Sequence, residues 1–219
     1  GSIIDAMTTL LADAGGGAAE LLRGTGVTAL LSVLAGMIGL LAAVFATQTA
    51  VSLRTDEASG IIEPQLAGAI SRTRWALERL LIPALGSAVM LLLGGALLGA
   101  VYGSVIGDSS QAATMAGATI AYWPADMLIV GIAVALFGWL PRVAVPVTWG
   151  VVAAMWFATM FGEVFGLPDW LLGALPFSAV PYLPLEPMSW TPLVILSLVA
   201  GALLWTGLAR FARRDIQVG

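Results

Sequence analysis

The sequence predicts an all-α fold, a polytopic membrane helix bundle with about five spans. Of its 219 residues, 59% are hydrophobic and only 10% are charged, whereas soluble domains carry about 25% charged residues. Each membrane span takes roughly 20 apolar residues, and five stretches of the chain are long and apolar enough. They lie at about 27–51, 80–103, 112–140, 143–165 and 191–209.

Residues 1–26 come before the first span and are predicted to form an extracytoplasmic amphipathic segment. Ser2 and Asp5 fit a helix-capping pattern, and the apolar residues that follow recur with helical spacing. Three consecutive glycines, Gly15 to Gly17, are expected to end this helix. At about a dozen residues it is too short to cross a bilayer, so we expect it to lie along the interface or on the bundle.

The first two spans are separated by a charged segment, residues 52–79, which holds four Arg and four acidic residues. Pro64 suits a first helical turn, and Ser71 suits the cap of the helix that leads into the second span. One interpretation is a solvated loop with interfacial anchors such as Trp75. The other is a docking element for a cytoplasmic partner, because charged residues flank an apolar surface. The apolar residues are Ile61, Ile62 and Leu66, and the charged ones are Glu57, Glu63, Arg72 and Arg74.

Three glycines, Gly95, Gly99 and Gly103, repeat at every fourth position of the second span. A stripe of this kind lets two helix backbones approach closely in a membrane. It predicts plain helix packing or, alternatively, a surface on which helices slide during transport.

The third apolar stretch is too long for one simple span, and it contains Pro124 close to a single acid, Asp126. An unpaired acid at mid-membrane costs roughly 2.5–3.5 kcal/mol on insertion scales. Three roles are open for Asp126. It is a shallow structural acid if residues 112–119 form a re-entrant or surface piece, a residue that lines the substrate cavity, or a proton-coupling acid. The sequence offers no second buried acid and no His for a proton relay.

Trp149 and Trp156 lie seven residues apart in the fourth span and therefore share a helix face. They are interpreted either as contacts with lipid or a neighbouring helix, or as an aromatic wall for an apolar drug. Beyond them, residues 166–190 contain five prolines, so no full helix crosses there. Non-helical backbone near the membrane is buried in protein or faces water, and a gate or lid at the outer surface is the hypothesis for this outer segment.

The distribution of basic residues predicts that the N-terminus lies outside and the C-terminus in the cytoplasm. With five spans in this orientation, eight of the nine basic residues lie on the cytoplasmic side and only Arg23 lies outside. The opposite orientation reverses these numbers and conflicts with the positive-inside rule. An outside N-terminus without a signal sequence is expected if at least one further span comes before this chain.

The composition argues against several classes of function. The chain has no His and no Cys, which removes disulfides, imidazole and thiolate metal sites, and Ser-His or Cys-His nucleophiles. All nine basic residues are Arg, and without Lys the phosphate-binding loop of ATPases cannot form. A net charge of −4 is unlike the basic surfaces that bind nucleic acid. We therefore expect no catalytic residue, no metal site, no cofactor and no nucleic-acid partner.

Several motifs, taken in order, resemble the type-2 ABC exporter permeases and, within them, the polyketide-antibiotic exporter branch. One motif resembles the coupling-helix region of these permeases. In this sequence it reads Arg54-x-x-Glu57-x-x-Gly60-x-x-Glu63, followed by Ser71-Arg72-x-x-Trp75. The other matching pieces are the amphipathic start from Gly1-Ser2, Leu140-Pro141-Arg142, Gly166-Leu167-Pro168-x-Trp170, Pro176-Phe177-x-x-Val180-Pro181-x-Leu183-Pro184, and Phe211-x-Arg213-Arg214-Asp215-Ile216. The sequence departs from the family pattern at Asp126, where an apolar residue is usual, and at Leu185-Glu186-Pro187, which replaces a more Gly-rich stretch.

The resemblance implies a bacterial plasma-membrane permease of two six-span halves, of which this chain is similar to the C-terminal half without its first helix. It further implies docking of Glu57, Glu63 and their neighbours in a groove of a separate ATPase subunit, which would hold ATP and Mg²⁺. The expected cargo is a hydrophobic antibiotic or drug, and the expected partners are ABC ATPase subunits, the other permease half and the lipid bilayer. The alternatives are a secondary, ion-coupled transporter and a non-transporting membrane subunit.

Overall fold

A computed structural model describes residues 15–58, 72–162 and 165–212. This part of the chain forms seven α-helices and contains no β-strand. The helices are α1 (Gly15–Ala58), α2 (Arg72–Ile106), α3 (Gln111–Ile120), α4 (Trp123–Trp139), α5 (Ala144–Phe161), α6 (Asp169–Ala174) and α7 (Trp190–Ala212). The prediction of an all-α membrane bundle is confirmed.

The first two helices are longer than the predicted spans. α1 has 44 residues and α2 has 35, about 66 and 52 Å at 1.5 Å per residue, so both extend beyond a hydrocarbon core of about 30 Å. Residues 15–26, predicted as part of a separate segment, are helical and continue directly into the first span. The amphipathic helix predicted before Gly15 lies outside the described residues. The charged connection between the two spans is correspondingly shorter, and residues 59–71 lie outside the described residues.

The third apolar stretch is a single crossing with a break in its hydrogen bonding. Residues Gln111–Trp139 form one apolar segment of 29 residues, which contains both α3 and α4. Ala121 and Tyr122 at the junction keep helical dihedral angles. The break follows from Pro124, which has no N–H to donate to the carbonyl four residues earlier.

α4 and α7 run in the same direction. Gly131 of α4 packs on Ala200 of α7. Two turns further along both helices, Gly138 packs on Gly207. The chain therefore has to cross back between the end of α4 and the start of α7. Of the described helices between them, α5 has 18 residues and α6 only six, so α5 makes this return.

Among the described residues, four helical segments are long and apolar enough to cross a membrane, and the apolar part of α5, Ala144–Thr159, is a shorter one. At about 27 Å, the 18-residue helix α5 nearly matches the hydrocarbon core. With α5 as the return that α4 and α7 require, these segments fit the predicted number of about five spans.

α4 lies at the centre of the bundle and packs against α1, α2, α5 and α7. Small residues on one face of α1, such as Ala35, Ala42 and Ala46, are fully buried. The opposite face of α1 is exposed and carries larger apolar residues such as Leu30 and Leu41. Small residues at the contacts let helix backbones approach closely, and the large ones lie on the outside of the bundle.

The helix directions place three arginines at one end of the bundle. Arg79 lies near the start of α2, Arg142 in the turn between α4 and α5, and Arg210 in the last turn of α7. Asp108 and Glu186 lie at the other end, in the α2–α3 turn and in the segment before α7. By the positive-inside rule, we call the arginine end the predicted inner end and the opposite one the predicted outer end.

Candidate functional site

The glycine stripe of α2 lies against the backbone of α3. A Cβ atom added at Gly95 would meet Thr119 and the Met115 carbonyl, and one at Gly99 would lie 2.8 Å from Ala112 Cα. Close to the same contact, the Thr119 hydroxyl lies 2.6 Å from the Leu91 carbonyl oxygen of α2. Residue numbers increase along α3 as they decrease along α2, so the two helices are antiparallel. The stripe therefore serves close helix packing.

This packing determines the depth of Asp126. Because α3 lies along α2 through two helical turns, residues 112–119 are part of the crossing and do not form a surface piece. Asp126 lies 15 residues after the start of the Gln111–Trp139 segment and 13 before its end. It is therefore close to the middle of this segment, which favours a deep position over a shallow one.

Asp126 is completely enclosed by the described helices. Its exposed fraction is 0%, and neither carboxylate oxygen has a hydrogen-bond partner among the described residues. It belongs to the buried stripe of α4 that also contains Val130, Ala133 and Phe137. Trp139, on the opposite face of α4, is 60% exposed. The Asp126 carboxyl therefore points into the bundle and away from lipid.

Two aromatic residues, one helical turn before Asp126, pack α4 against α1 and α2. The buried ring of Tyr122 lies against Gly39 of α1, where an added Cβ would come within 2.8 Å of it, and its hydroxyl lies near Gly36. The Trp123 indole N–H donates a hydrogen bond of 2.9 Å to the Ala84 carbonyl of α2. Together they hold the first turn of α4 between α1 and α2.

The proline-rich outer segment is fastened to α1 through Ser32. The buried Ser32 hydroxyl lies 3.2 Å from the Tyr182 carbonyl oxygen and accepts the Leu185 N–H at 3.2 Å. Glu186 closes the turn, because its carboxylate accepts the Tyr182 N–H at 3.0 Å. Tyr182 and Glu186 also act electrostatically on Tyr122. The segment therefore forms an ordered cover over the predicted outer end, where a gate was expected.

Replacing Ser32 with alanine should loosen this cover. Ser32→Ala removes the acceptor of the Leu185 N–H and the contact with the Tyr182 carbonyl, and a hydrogen bond of this kind contributes about 0.5–1.5 kcal/mol. We expect faster proteolytic cleavage within residues 176–188 and a lower melting temperature. Ser104→Ala is the control, because the exposed Ser104 hydroxyl bonds only the Val101 carbonyl of its own helix. Equal cleavage rates in the two variants would contradict the role of Ser32.

Asp108 organises the turn between α2 and α3. Its carboxylate accepts the Ser110 N–H at 3.0 Å and the Gln111 side-chain amide at 2.8 Å. Hydrogen bonds from the Ser110 side chain, the Gln111 side chain and the Ser110 backbone lower the pKa of Asp108 below its ordinary 3.8. Asp108 is therefore ionised at neutral pH and serves the turn at the outer end of the glycine stripe.

The two tryptophans of α5 differ in exposure. Trp149 is half-buried, whereas Trp156 is 46% exposed. Next to Trp156, the ring of Phe157 packs on those of Phe161 and Phe165, with centroid separations of 5.1 and 5.5 Å. This exposed cluster was not predicted, although the four-residue spacing of the three phenylalanines could have indicated it.

The predicted docking residues fall at or beyond the limits of the described residues. Glu57 lies in the last turn of α1, and Arg72 and Arg74 lie in the first turn of α2. Glu63 and Ser71, as well as the side chains of the other three, lie outside what the structure describes. Within the described residues, no group of three acidic side chains is arranged to hold a metal ion.

Comparison with known proteins decides the family. The profile described as "Multidrug efflux system permease Rv1217c, C-terminal domain" matches residues 1–212, almost the whole chain. The chain belongs to this family. The multidrug efflux system permease protein Rv1217c of Mycobacterium tuberculosis (strain ATCC 25618 / H37Rv) is 35% identical over 190 residues, which cover 86% of this chain and 34% of that protein.

The Rv1217c C-terminal-domain family fits both the resemblance and the bundle. The identification of the chain as similar to the C-terminal part of an exporter permease is confirmed. The chain spans about a third of the length of the curated relative that it matches. The helical bundle and the enclosed Asp126 are thus found in a member of a family of permease C-terminal domains.

Proposed function

We propose that this chain is the C-terminal part of the permease of an ATP-driven exporter that moves hydrophobic antibiotics or drugs out of a bacterial cell. The observation that carries the proposal is the match of residues 1–212 to the C-terminal domain of a multidrug efflux permease. The bundle adds apolar crossings and an ordered cover at the predicted outer end. ATP and Mg²⁺ would bind to a separate ATPase subunit.

The predicted inner end offers a position for that subunit. α1 continues to Ala58 and α2 begins at Arg72, well outside the apolar segments Gly26–Ser52 and Leu77–Ile106. The two helices therefore carry the connecting residues away from the hydrocarbon core. Arg79, Arg142 and Arg210 lie at this same end, as expected for the cytoplasmic side. Glu57, Glu63, Ser71, Arg72 and Arg74 are proposed to contact the ATPase.

α5 is proposed to face the remainder of the permease. It makes fewer contacts with the rest of the chain than any other long helix. Its exposed face combines Gly150, Ala153 and Ala154 with the aromatic residues Trp156 and Phe157. Small residues allow close approach of a further helix, and about two thirds of the relative's length lies outside the matched part. A cargo path between the two parts would then pass Trp149 and Trp156.

Charge reversal in the docking segment tests the ATPase contact. In the intact permease, Glu57→Lys with Glu63→Lys should abolish co-purification of the ATPase and drug-stimulated ATP hydrolysis, because each Lys places a repulsive charge where an acid docks. The double variant should still insert into the membrane in normal amounts. The matched control reverses two acids at the predicted outer end, Asp108→Lys with Glu186→Lys. It removes the hydrogen bonds of two outer turns, at the opposite end from the docking segment, and should retain the ATPase.

Three results would separate the proposal from its rivals. Wild-type coupling in the Glu57 and Glu63 double variant would remove the docking assignment. Loss of the ATPase in the control as well would point to general damage to the complex. A secondary, proton-driven transporter is the second candidate, and the buried Asp126 is the one observation that favours it. Drug export that needs a proton gradient and no ATP would establish that candidate.

A further inference from the structure

The geometry points to a proton-binding site at Asp126, whose occupancy changes when α4 separates from α1 and α2. The two Asp126 carboxylate oxygens are fully buried and without a hydrogen-bond partner among the described residues. Proton binding at this carboxyl follows the equilibrium between an enclosed and an opened bundle, whichever energy source drives export.

Contacts of this chain alone enclose the site. One turn before Asp126, Tyr122 packs on Gly36 and Gly39 of α1, and Trp123 bonds to Ala84 of α2. One turn and a half after it, Gly131 packs on Ala200 of α7. Neither a cargo molecule nor another protein part reaches the carboxyl unless these helices part. A proton needs no cavity, and it is the ligand that fits the enclosed state.

No charged group of the neighbouring helices faces Asp126. The described part of α1 from Gly26 to Ser52 contains no ionisable residue, and neither does α5. On α7, Arg210 lies beside the far end of α4, where its guanidinium stacks 5.4 Å from the Trp139 ring centre. Tyr122 faces α1, one turn from Asp126. From the outer segment, Tyr182 and Glu186 act electrostatically on Tyr122, and the Glu186 carboxylate is bonded to the Tyr182 N–H; Glu186 is an acid and offers Asp126 no positive charge.

α2 contributes Glu78 and Arg79 near its inner end. Glu78 is exposed, and both residues have interactions of their own. Arg79 lies seven residues before Gly86 and therefore shares the face of α2 that meets Phe45 of α1. No counter-ion for Asp126 lies among these residues.

An enclosed carboxyl without a counter-ion carries its proton. An isolated ionised carboxylate in a low-dielectric interior is so unfavourable that the group becomes neutral instead. When the helices separate and water enters, the ionised form is hydrated and the proton leaves to bulk water. The enclosed bundle therefore binds one more proton than the opened bundle at a pH at which a hydrated Asp is ionised and the enclosed carboxyl is still protonated.

Two prolines near the level of Asp126 provide the places where the helices bend. Pro124 interrupts the hydrogen bonding of the α3–α4 crossing two residues before the acid, and Pro83 of α2 is fully buried beside Ala84. Sharp bends in helices occur mostly at prolines. Opening at these two points would separate α4 from α2 at the carboxyl.

The coupling between proton binding at Asp126 and opening of the bundle has a definite sign and size. Because the enclosed state holds the extra proton, raising the pH favours the opened state, by about tenfold in the ratio of opened to enclosed molecules per pH unit. The effect should disappear in Asp126→Asn, which has nearly the same shape and never ionises.

Thiol labelling measures this ratio. The chain has no Cys, so Ala133→Cys places a single thiol on the buried stripe that contains Asp126, in an intact permease freed of any other cysteines. A dilute, water-soluble thiol reagent reports the opened fraction. At each pH, the labelling rate is divided by the rate of the same variant carrying Asp126→Asn, which cancels the pH dependence of thiol reactivity.

We expect this quotient to rise by about tenfold per pH unit between pH 5 and pH 7, and adding Asp108→Asn instead should leave the pH dependence of labelling unchanged. A quotient that does not change with pH overturns the proposal. If the thiol variant fails to fold, infrared difference spectra of the wild type minus Asp126→Asn replace it. A carbonyl band of a protonated carboxyl at neutral pH supports the site, and its absence overturns it.

Discussion

Gly99→Ala should destabilise the permease by about 1–3 kcal/mol, the usual cost of overpacking a rigid contact. The new methyl carbon would lie 2.6 Å from the Gln111 carbonyl carbon and 2.8 Å from Ala112 Cα. These are backbone atoms of α3, which cannot move aside as a side chain can. Separating α2 from α3 would also disturb the α3–α4 crossing that carries Asp126. The shift in thermal unfolding of the detergent-solubilised permease measures the effect.

The matched control is the same substitution in α3 itself. An added Cβ at Gly117 meets nothing within 4 Å, so Gly117→Ala should raise stability by roughly 0.5–1 kcal/mol through helix propensity alone. The two variants therefore shift the melting temperature in opposite directions. A loss of stability of the same size in both would contradict the antiparallel α2–α3 contact.

Gly207→Leu should destabilise the bundle even more than Gly99→Ala. A Cβ at Gly207 would lie 2.6 Å from the Val134 carbonyl oxygen and 2.8 Å from the Ala135 amide nitrogen, and leucine adds three more carbons to it. Since α4 and α7 form the most extensive contact among the described helices, forcing them apart should cost at least about 3 kcal/mol. We expect little folded permease in the membrane, measured by fluorescence-detected size exclusion.

Gly201 provides the control within the same helix. It is exposed, and an added Cβ meets nothing within 4 Å, so Gly201→Leu should yield wild-type amounts of folded permease. Normal yield of Gly207→Leu would mean that α4 and α7 are not in backbone contact.

The helical crossings were predictable because the sequence alternates between long apolar stretches and charged connections. The close packing at the glycine stripe of α2 could also be predicted, because glycines at every fourth position are typical of helices in close contact. The break near Pro124 followed from the missing N–H of proline. Each of these features depends on residues that are close together in the sequence.

The neighbours of each helix were not predictable from the sequence. In a membrane the buried and the lipid-facing surfaces are both apolar, so periodicity does not separate them. Only residue size hints at the inner face, as for Ala35 and Ala42 against Leu30 and Leu41 of α1. The bond between Ser32 and the Tyr182 carbonyl joins residues 150 positions apart. No local pattern encodes such a pairing, and the burial of Asp126 depends on several of them.

Transport by the intact permease and its ATPase in proteoliposomes tests most directly whether this chain is part of an ATP-driven exporter. The uptake of a fluorescent hydrophobic drug into inside-out vesicles is measured with ATP and equal pH on both sides, and again with a pH gradient and no ATP. We expect accumulation in the first condition, none in the second, and none with Glu57→Lys and Glu63→Lys. Accumulation driven by the pH gradient alone would contradict an ATP-driven mechanism.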